Sequence, residues 1–300
     1  MTEVQTKAER PVVSIIVLSH DRPTYLPTVL EAILGQSYPN LEILVVDNKS
    51  RSSDEIARLL AQYKGVRLIR SPVNLGFTGG MNMGIAAASG DYIHCTVDDV
   101  VLYKDCIEHL VAYMKKHPES GLLSGILYNE DRKTIRCAGG EFVLGPIYRQ
   151  KIFRAGETTE VDSEPYEVKY VPGGMIFGGT AFLRTLGGFR EDFFIYAEDT
   201  DLCARVAKSG RTIHVVPQAK VVVLNAPHAF TDQGIAYHKT KNFFAIYLLH
   251  ARLRVLPQFF LRYGLVGFLR MLYSNPQMIG PTLRAWKWTL LNARSLLSER

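Results

Sequence analysis

Four short runs of apolar, largely β-branched residues recur in the first hundred positions, and polar or turn residues follow each of them. The runs span residues 11–18, 41–46, 66–69 and 92–97. An apolar run of this length without alternation is typical of a strand that is buried on both faces. The segments between them, 24–35, 53–63 and 78–88, are predicted to be helices, with Ser53 capping the second. Strands that alternate with helices in this way predict an α/β fold with a mostly parallel sheet.

The second half of the chain has a looser pattern. Residues 122–169 contain short apolar runs between Gly and Pro turns, which predicts a mixed extension of the sheet. A helix is expected to begin near Glu198, with Leu202 and Val206 on its buried face and a stop at Gly210. After residue 239 the chain becomes helical, aromatic and basic. We therefore expect one large domain over 1–238 and a helical tail over 239–300.

Composition narrows the class of protein. With 47% hydrophobic residues among 300, the chain can bury a large core, and global disorder is excluded. The four cysteines form no CxxC pair, which argues against a disulfide framework or a zinc site and fits a reducing compartment. Residues 1–10 are polar, and no apolar stretch reaches the length of a membrane span. These features predict a cytoplasmic protein, or one that lies against the inner face of the membrane.

The formal net charge of +6 is concentrated in the tail. Residues 239–300 contain ten Lys and Arg and one acid, Glu299, which leaves about minus three for the rest (6 − 9). Basic residues alternate there with aromatic segments, and Trp286 and Trp288 flank Lys287. This pattern is typical of helices in a membrane surface. The alternatives are that the tail covers the main domain or forms a homodimer interface; nucleic acid is a poorer partner because the segments are too apolar.

Polar side chains follow three of the predicted strands. Asp98 and Asp99 come after the fourth strand, the phrase Ser19-His20-Asp21-Arg22 after the first, and Asp47 after the second. Ligands of an open parallel sheet bind outside the carboxyl ends of its strands. Two carboxylates there can hold Mg²⁺ on a substrate phosphate, although they could instead cap a helix from Tyr103. Asp47 suits a nucleobase or ribose hydroxyl, and a missing G-x-G-x-x-G argues against NAD.

Two further phrases suggest ligand contacts. The phrase from Asn74 to Gly84 contains two asparagines and four glycines on a loop and the helix that follows it. The glycine pairs at 173–174 and 178–179 allow close backbone approach. Glu198, Asp199 and Asp201 fall in the first turn of a predicted helix, where the helix dipole favours acids. Arg205 can pair with Asp201 at i,i+4. Of the adjacent pair, one carboxylate should be free to face a cleft.

The ordered set of motifs resembles the inverting glycosyltransferases of the GT-A fold, that is, family 2 and its bacterial rhamnosyltransferase-like members. The resemblance covers about residues 12–250 and includes Gly187-Gly188-Phe189 before the Glu198 phrase. It implies a GT-A (Rossmann-like) catalytic domain over 1–238, with a nucleotide-binding half (11–100) and an acceptor half (101–238). His238 to Asn242 is similar to the basic phrase that opens the family's C-terminal helix.

The resemblance also implies roles for individual residues. Asp199 is the expected general base, with Glu198 beside it, and Asp99 is the expected ligand of Mg²⁺ or Mn²⁺. The expected donor-binding set is Ser19, His20, Asp21, Arg22, Asp47, Asn74, Gly76, Asn82 and Asp98. On the acceptor side we expect Gly178, Gly179 and Asp201.

Three positions depart from the family pattern. Val97 stands where the first acid of the D-x-D motif usually lies, and Val-Val-Val-Leu fills 221–224, where many members have a metal-binding His. His228 is the nearby substitute, which makes it a second metal-ligand candidate. Arg190 stands where an acid is common.

The expected function is inverting transfer of a sugar from a nucleotide-diphosphate sugar, such as dTDP-rhamnose or a UDP-sugar. The acceptor would be a glycan or lipid-linked molecule of bacterial surface polysaccharide synthesis. Two alternatives remain. A nucleotidyltransferase would need a basic Gly-rich loop, and residues 18–23 contain no lysine. A catalytically inactive nucleotide-sugar-binding or membrane scaffold protein is favoured by Val97 and opposed by the intact Glu198-Asp199 pair.

Overall fold

A four-stranded parallel sheet forms the first half of the molecule. The computed structural model describes residues 10–158, 163–226 and 231–300. The four strands are β1 (Val13–Ser19), β2 (Leu41–Asp47), β3 (Val66–Arg70) and β4 (Tyr92–Val97). They are parallel in the order β3-β2-β1-β4, and they are connected by α1 (Leu26–Leu34), α2 (Ser53–Leu60) and α3 (Gly76–Ala87). The predicted α/β fold with a mostly parallel sheet is confirmed.

The second half extends this sheet with mixed pairing. Its elements are β5 (Val100–Leu102), α4 (Cys106–Lys116), β6 (Ser120–Asn129), β7 (Ile135–Cys137), β8 (Gly140–Leu144), β9 (Tyr148–Ile152), β10 (Tyr166–Val168), β11 (Ile176–Gly179), α5 (Thr180–Thr185), α6 (Glu198–Lys208) and β12 (Thr212–Val223). The described sheet continues as β4-β11-β6-β12-β10, and β11 runs antiparallel to both of its neighbours. β8 and β9 form a separate hairpin.

The apolar runs are buried on both faces of the sheet. In β1, Ile15 and Val17 join the core on one side, whereas Ile16 and Leu18 join the core on the other. Because successive side chains of a strand point to opposite faces, only a continuous apolar run can fill both cores. Full burial of each such side chain contributes about 1.5–3 kcal/mol.

The tail is a set of helices that pack against the second half of the sheet domain and against one another. It comprises α7 (Asp232–His250), a short turn (Leu253–Val255), α8 (Leu256–Phe259), a π-helical segment (Phe260–Val266), α9 (Gly267–Ser274) and α10 (Ile279–Ser298). Tyr247 of α7 stacks on Phe259 with ring centroids 3.5 Å apart. The expected domain boundary at 238/239 falls inside α7. Among the described residues, no helix combines the length and apolar character that crossing a membrane requires.

Candidate active site

The carboxyl ends of β1, β2 and β4 bring the predicted donor residues together. Ser19 is in register with Asp47, and the Asp98 N–H donates to Leu18 O at 3.1 Å. The Ser19 hydroxyl donates to Asp98 Oδ2 at 2.8 Å, and the His20 N–H contacts the same oxygen at 3.3 Å. These contacts hold a nearly fully buried carboxylate at the sheet edge where ligands bind in α/β folds.

Asp98 and Asp99 do not cap a helix. The chain continues from them into β5, and α4 begins only at Cys106. Instead, Arg22 Nη1 lies 2.7 Å from Asp99 Oδ2 and 3.4 Å from Asp98 Oδ1. Burial raises the pKa of Asp98 to about 7, and the charge of Arg22 opposes that rise. The two carboxylates therefore lie at the carboxyl-end edge of the sheet, where the guanidinium of Arg22 is the cation that pairs with them.

The loops after β1 and β3 are tied together around Asn48. The His20 imidazole contacts Asn48 O at 2.9 Å, and the Asn48 amide donates to Gly76 O at 2.8 Å. Asn74 Oδ1 accepts from the Gly76 N–H at 2.8 Å, and its amide contacts His20 at 3.2 Å. Asp21 lies at the same edge, with a positive φ of 55°. These loop residues thus line one edge of the sheet as predicted.

Asp47 accepts hydrogen bonds from the segment that directly follows it in the chain. Its Oδ1 accepts from the Ser50 N–H at 2.9 Å, and its Oδ2 accepts from the Ser53 hydroxyl. The prediction that Ser53 caps α2 is wrong, since Ser53 lies inside the helix and bonds Asp47. Asp47 therefore shapes the loop that follows β2 with both of its oxygens.

The acidic pair at the start of α6 is buried beneath a cavity. The Tyr170 hydroxyl donates to Asp199 Oδ2 at 2.7 Å, and the Thr200 N–H donates to Oδ1 at 2.7 Å. Glu198 Oε2 is buried without a hydrogen-bond partner among the described residues. Burial raises the pKa of both carboxyls, the charge of Asp199 raises that of Glu198 further, and hydrogen bonds oppose the rise at Asp199. Two adjacent carboxyls with different environments are suited to hold different protonation states.

A strained loop positions this pair. Phe194, Tyr196 and Ala197 have φ values of 66°, 71° and 63°, a region that residues other than Gly and Asn rarely occupy. The Asn242 amide of α7 donates to three carbonyls of this loop, Phe193 O and Ile195 O at 2.9 Å and Tyr196 O at 2.6 Å. Strain of this kind persists only where surrounding contacts hold it. The tail thus fixes the loop that precedes Glu198.

A short turn joins the acidic pair to the carboxyl-end edge. The turn Gly173–Met175 precedes β11. A Cβ at Gly173 would lie 3.3 Å from Glu198 Oε1, and one at Gly174 would lie 3.5 Å from Val97. The turn therefore approaches both the end of β4, at Val97, and the start of α6, at Glu198.

The cavity above the acidic pair has a volume of about 690 Å³, which is within the usual range for ligand pockets. Glu198, Asp199 and Thr200 lie on one side, and the tail supplies the facing wall with Phe243, Phe268 and Trp286 among others. Lys239 lines it as well, with its Nζ 4.8 Å from the centroid of the Tyr196 ring. The tail therefore covers part of the main domain, which is one of the three roles that the sequence leaves open for it.

Four predicted site residues lie elsewhere. Both ends of the Asn82 amide bond the main chain of Phe189, at 2.7 and 2.8 Å, so Asn82 ties α3 to that loop. Gly178 and Gly179 pair with Ile93 and Tyr92. Because β11 is antiparallel to β4, the two glycines lie at the opposite end of the sheet from Asp98, and their predicted acceptor role is wrong.

Asp201 is also turned away from the cavity. It contacts Arg205 at 2.8 Å, as the i,i+4 spacing predicts, and His250 of α7 at 2.8 Å. Its role is to link α6 to the tail, not to contact an acceptor. His228 lies outside the described residues.

Sequence reasoning missed several residues that shape the site. Tyr170 follows a short strand, and its neighbours along the chain contain nothing that indicates contact with Asp199. In the sequence, Asn242 is only one member of a basic phrase. The pattern around Trp286 predicts an interfacial aromatic residue, whereas its ring centroid lies 4.8 Å from that of Phe268 and the residue lines the cavity.

The described residues do not fit a resident divalent cation. No three His, Cys, Asp or Glu of the described chain come together as a metal site would require. Val97 precedes the carboxylates, and the Leu224 N–H donates to Asp99 O at 2.8 Å, so the residue beside Asp99 at the end of β12 is apolar. Asp98 already accepts from Ser19, His20 and Arg22.

Comparison with known proteins agrees with this geometry. Residues 14–180 match the model of glycosyl transferase family 2. An N-acetylglucosaminyl-diphospho-decaprenol L-rhamnosyltransferase of Mycobacterium tuberculosis is 26% identical over 261 residues, which cover 78% of this chain and 83% of that protein. An uncharacterized glycosyltransferase of Haemophilus influenzae is 27% identical over 147 residues, which cover 47% of this chain and 45% of that protein.

A solved structure shares the fold. A mannosyltransferase of Pyrobaculum calidifontis, in complex with GDP-Man and Mn²⁺, matches 96% of this chain and 79% of its own length with a TM-score of 0.56. Its sequence is 18% identical. At that identity the match concerns the fold alone.

Proposed function

Since the chain belongs to glycosyl transferase family 2, we propose that it moves a sugar from a nucleoside-diphosphate sugar to a glycan or lipid-linked acceptor, with inversion at the anomeric carbon. The setting proposed is synthesis of a bacterial surface polysaccharide. The observation that carries this proposal is the presence of two polar groups that a single turn links. Ser19, Asp98 and Arg22 contact one another at the carboxyl ends of the strands, and the turn Gly173–Met175 approaches both Val97, just before Asp98, and Glu198, the neighbour of Asp199.

The donor is proposed to bind at the carboxyl ends of β1, β2 and β4. The mycobacterial relative is a rhamnosyltransferase by name, which favours a rhamnosyl donor such as dTDP-rhamnose over a UDP-sugar. A panel of nucleotide sugars, measured by thermal shift, distinguishes the donors because a ligand of the folded state raises its apparent stability.

Asp199 is proposed as the general base. The acceptor hydroxyl oxygen attacks the anomeric carbon while the bond from that carbon to the β-phosphate oxygen breaks, and the electron pair leaves with the nucleoside diphosphate. The hydroxyl proton passes to Asp199. Direct attack from the opposite face inverts the anomeric centre, and no enzyme nucleophile takes part.

The environments of the two carboxyls support this division of roles. Tyr170 and Thr200 stabilise the ionised form of Asp199 by donating to both oxygens. Glu198 has a buried oxygen without such a donor, which favours its protonated form. A protonated Glu198 beside an ionised Asp199 leaves one negative charge in the site, on the residue that the hydrogen bonds orient.

The cavity is proposed as the acceptor site. Its walls combine the acidic pair, the cation of Lys239 and several aromatic rings of the tail. Aromatic faces suit sugar rings and aliphatic chains, and Lys239 suits a phosphate. A second, apolar cavity of about 250 Å³ shares Phe244 and Trp286 with the first. The closeness of the two cavities supports an acceptor that has a polar sugar end and an apolar remainder.

The outer face of the tail is proposed to lie on an anionic membrane. Eleven of the sixteen large exposed hydrophobic residues of the described chain fall between 253 and 297. Eight exposed Lys and Arg lie in the same segment, 252–300, so apolar and electrostatic attraction can act together. Peripheral attachment at the cytoplasmic face of the membrane would bring a lipid-linked acceptor to the cavity.

Substitution of the base tests the proposal. Asp199→Asn should lower the transfer rate by about 10²–10⁴-fold, since an amide cannot accept the proton, while nucleotide binding stays within about twofold. Asp105→Asn, on the exposed start of α4, is the matched control. Undiminished turnover of Asp199→Asn excludes Asp199 as the base. Binding of nucleotide sugars without turnover by the unmodified protein would favour the inactive scaffold.

A further inference from the structure

A guanidinium lies between the two carboxylates where the donor diphosphate is proposed to bind. Arg22 Nη1 is 2.7 Å from Asp99 Oδ2 and 3.4 Å from Asp98 Oδ1. The side chains of Arg22 and Asp99 are 19% and 17% exposed, so this ion pair is largely shielded from water. A shielded, charge-assisted hydrogen bond is stronger than an ion pair on the open surface.

The arrangement leaves part of the guanidinium available. Both contacts with the carboxylates use one terminal nitrogen, Nη1. A guanidinium has five N–H donors in a rigid fork, so Nη2 and Nε of Arg22 still offer three N–H groups. That fork matches two oxygens of a phosphate, and its charge does not titrate in the physiological range.

We propose that Arg22 supplies the positive charge for the donor diphosphate and that this chain binds its donor without a divalent metal ion. The inference rests on the proposed function, because it takes the ligand to be a nucleoside diphosphate. Three observations point the same way: position 97 holds a valine in place of an acid, Asp98 is occupied by protein donors, and Arg22 neutralises the outer carboxylate.

Arg22 has two electrostatic roles in this proposal. It removes the repulsion between the Asp99 carboxylate and the diphosphate, and it donates to the phosphate oxygens on which negative charge grows as the glycosidic bond breaks. A fixed donor aimed at a developing charge stabilises the transition state without reorganisation. A divalent cation at Asp99 would have to share the carboxylate with this guanidinium, whose positive charge would repel it.

Calorimetric titration of the full chain with UDP, dTDP and GDP, in EDTA and then in Mn²⁺, tests the inference. The unmodified protein should bind one of the three with an affinity that differs by less than about twofold between the two conditions. Arg22→Gln should weaken that binding by about tenfold or more but leave binding of the corresponding nucleoside, which has no phosphate, unchanged. Arg58→Gln, on the exposed face of α2, is the matched control and should bind normally.

Circular dichroism of each variant establishes whether it is folded. If Arg22→Gln does not fold, Arg22→Lys is used in its place, since it keeps the positive charge. Arg22→Lys should bind the diphosphate more weakly than the unmodified protein, since an ammonium lacks the fork. Binding that EDTA abolishes and Mn²⁺ restores overturns the inference while leaving the proposed function intact. Normal diphosphate binding by Arg22→Gln overturns it too. Failure of the unmodified protein to bind any nucleoside diphosphate in either condition overturns the proposed donor and this inference with it.

Discussion

Tyr170 shows how one buried hydroxyl can set the chemistry of a neighbouring carboxylate. It is 9% exposed, and its O–H donates to Asp199 at 2.7 Å. A hydrogen bond to the ionised form favours that form, so Tyr170 lowers the pKa of Asp199 against the rise caused by burial. Tyr170 is thus a positioning residue, which orients the proposed base and opposes the rise in its pKa that burial causes.

Tyr170→Phe should move the acidic limb of the pH–rate profile to higher pH. Loss of the hydroxyl removes a stabilising donor, the pKa of Asp199 rises, and the fraction of ionised base falls at a given pH. The rate constant kcat should therefore fall severalfold at the acidic end and approach the unmodified value as the pH rises. Steady-state kinetics across the pH range measures this.

The matched control is Tyr166→Phe, whose hydroxyl donates to Ala138 O at 2.9 Å. Its profile should keep the original midpoint. An equal loss of rate at every pH in Tyr170→Phe would show that the hydroxyl is structural and does not tune the base.

At the level of elements, the contact between α7 and the loop before α6 holds the site together. The loop contains three residues with positive φ, and one side chain of α7, Asn242, donates to three of its carbonyls. The tail helix is therefore part of the framework that holds the proposed active site. A helix that only covered the domain would not need a buried amide aimed at this strained backbone.

Asn242→Ala should destabilise the protein by about 2–4 kcal/mol, because it leaves buried carbonyls without a donor and releases the strained loop. It should also lower kcat, since the loop leads directly into the helix that carries Asp199. Chemical denaturation and kinetics measure the two effects.

Asn292→Ala is the control, since the Asn292 amide donates to a single carbonyl, Trp288 O, within α10. It should cost much less stability. Unchanged kcat in a folded Asn242→Ala variant would contradict the role of α7 in positioning the base.

On the scale of the whole molecule, the tail has two different faces. Inward, its aromatic rings build a wall of the cavity, and Arg190 holds Glu299 near the chain end at 2.5 and 3.2 Å. Outward, it exposes apolar side chains such as Tyr273 and Leu291, which are 96% and 75% exposed. Monomeric proteins seldom expose apolar residues so densely without a partner surface.

Vesicle sedimentation tests the membrane proposal. The full chain should pellet with phosphatidylglycerol vesicles and much less with phosphatidylcholine vesicles, and added salt should weaken the binding because it screens the basic residues. A Tyr273→Ser, Leu291→Ser double variant should bind severalfold more weakly while it keeps turnover on a soluble acceptor. Val73→Ser, 55% exposed outside the tail, is the control.

Two results would contradict this proposal. One is equal binding of the double variant and the unmodified protein to anionic vesicles. The other is a stable homodimer in analytical ultracentrifugation that the double variant abolishes, since that result would assign the apolar face to a second copy of the chain.

The sequence by itself determined the parallel half of the sheet and the edge at which the donor residues meet. The apolar runs before Ser19, Asp47 and Asp98 are continuous, because a strand that is buried on both faces must be apolar at every position. The first polar residue after each run therefore marks the carboxyl end of the strand, where ligands bind. Local spacing also sufficed for the Asp201–Arg205 pair, which lies within one helix.

Contacts between distant segments were decided only by the tertiary structure. The direction of β11 placed Gly178 and Gly179 far from the site, and long-range packing brought Tyr170 to Asp199 and Asn242 to the strained loop. The cation that faces Asp98 and Asp99 is another such contact, because Arg22 lies 76 residues before Asp98 along the chain. Periodicity reports which face of an element is buried, but it does not report which side chain from elsewhere in the chain will meet that face.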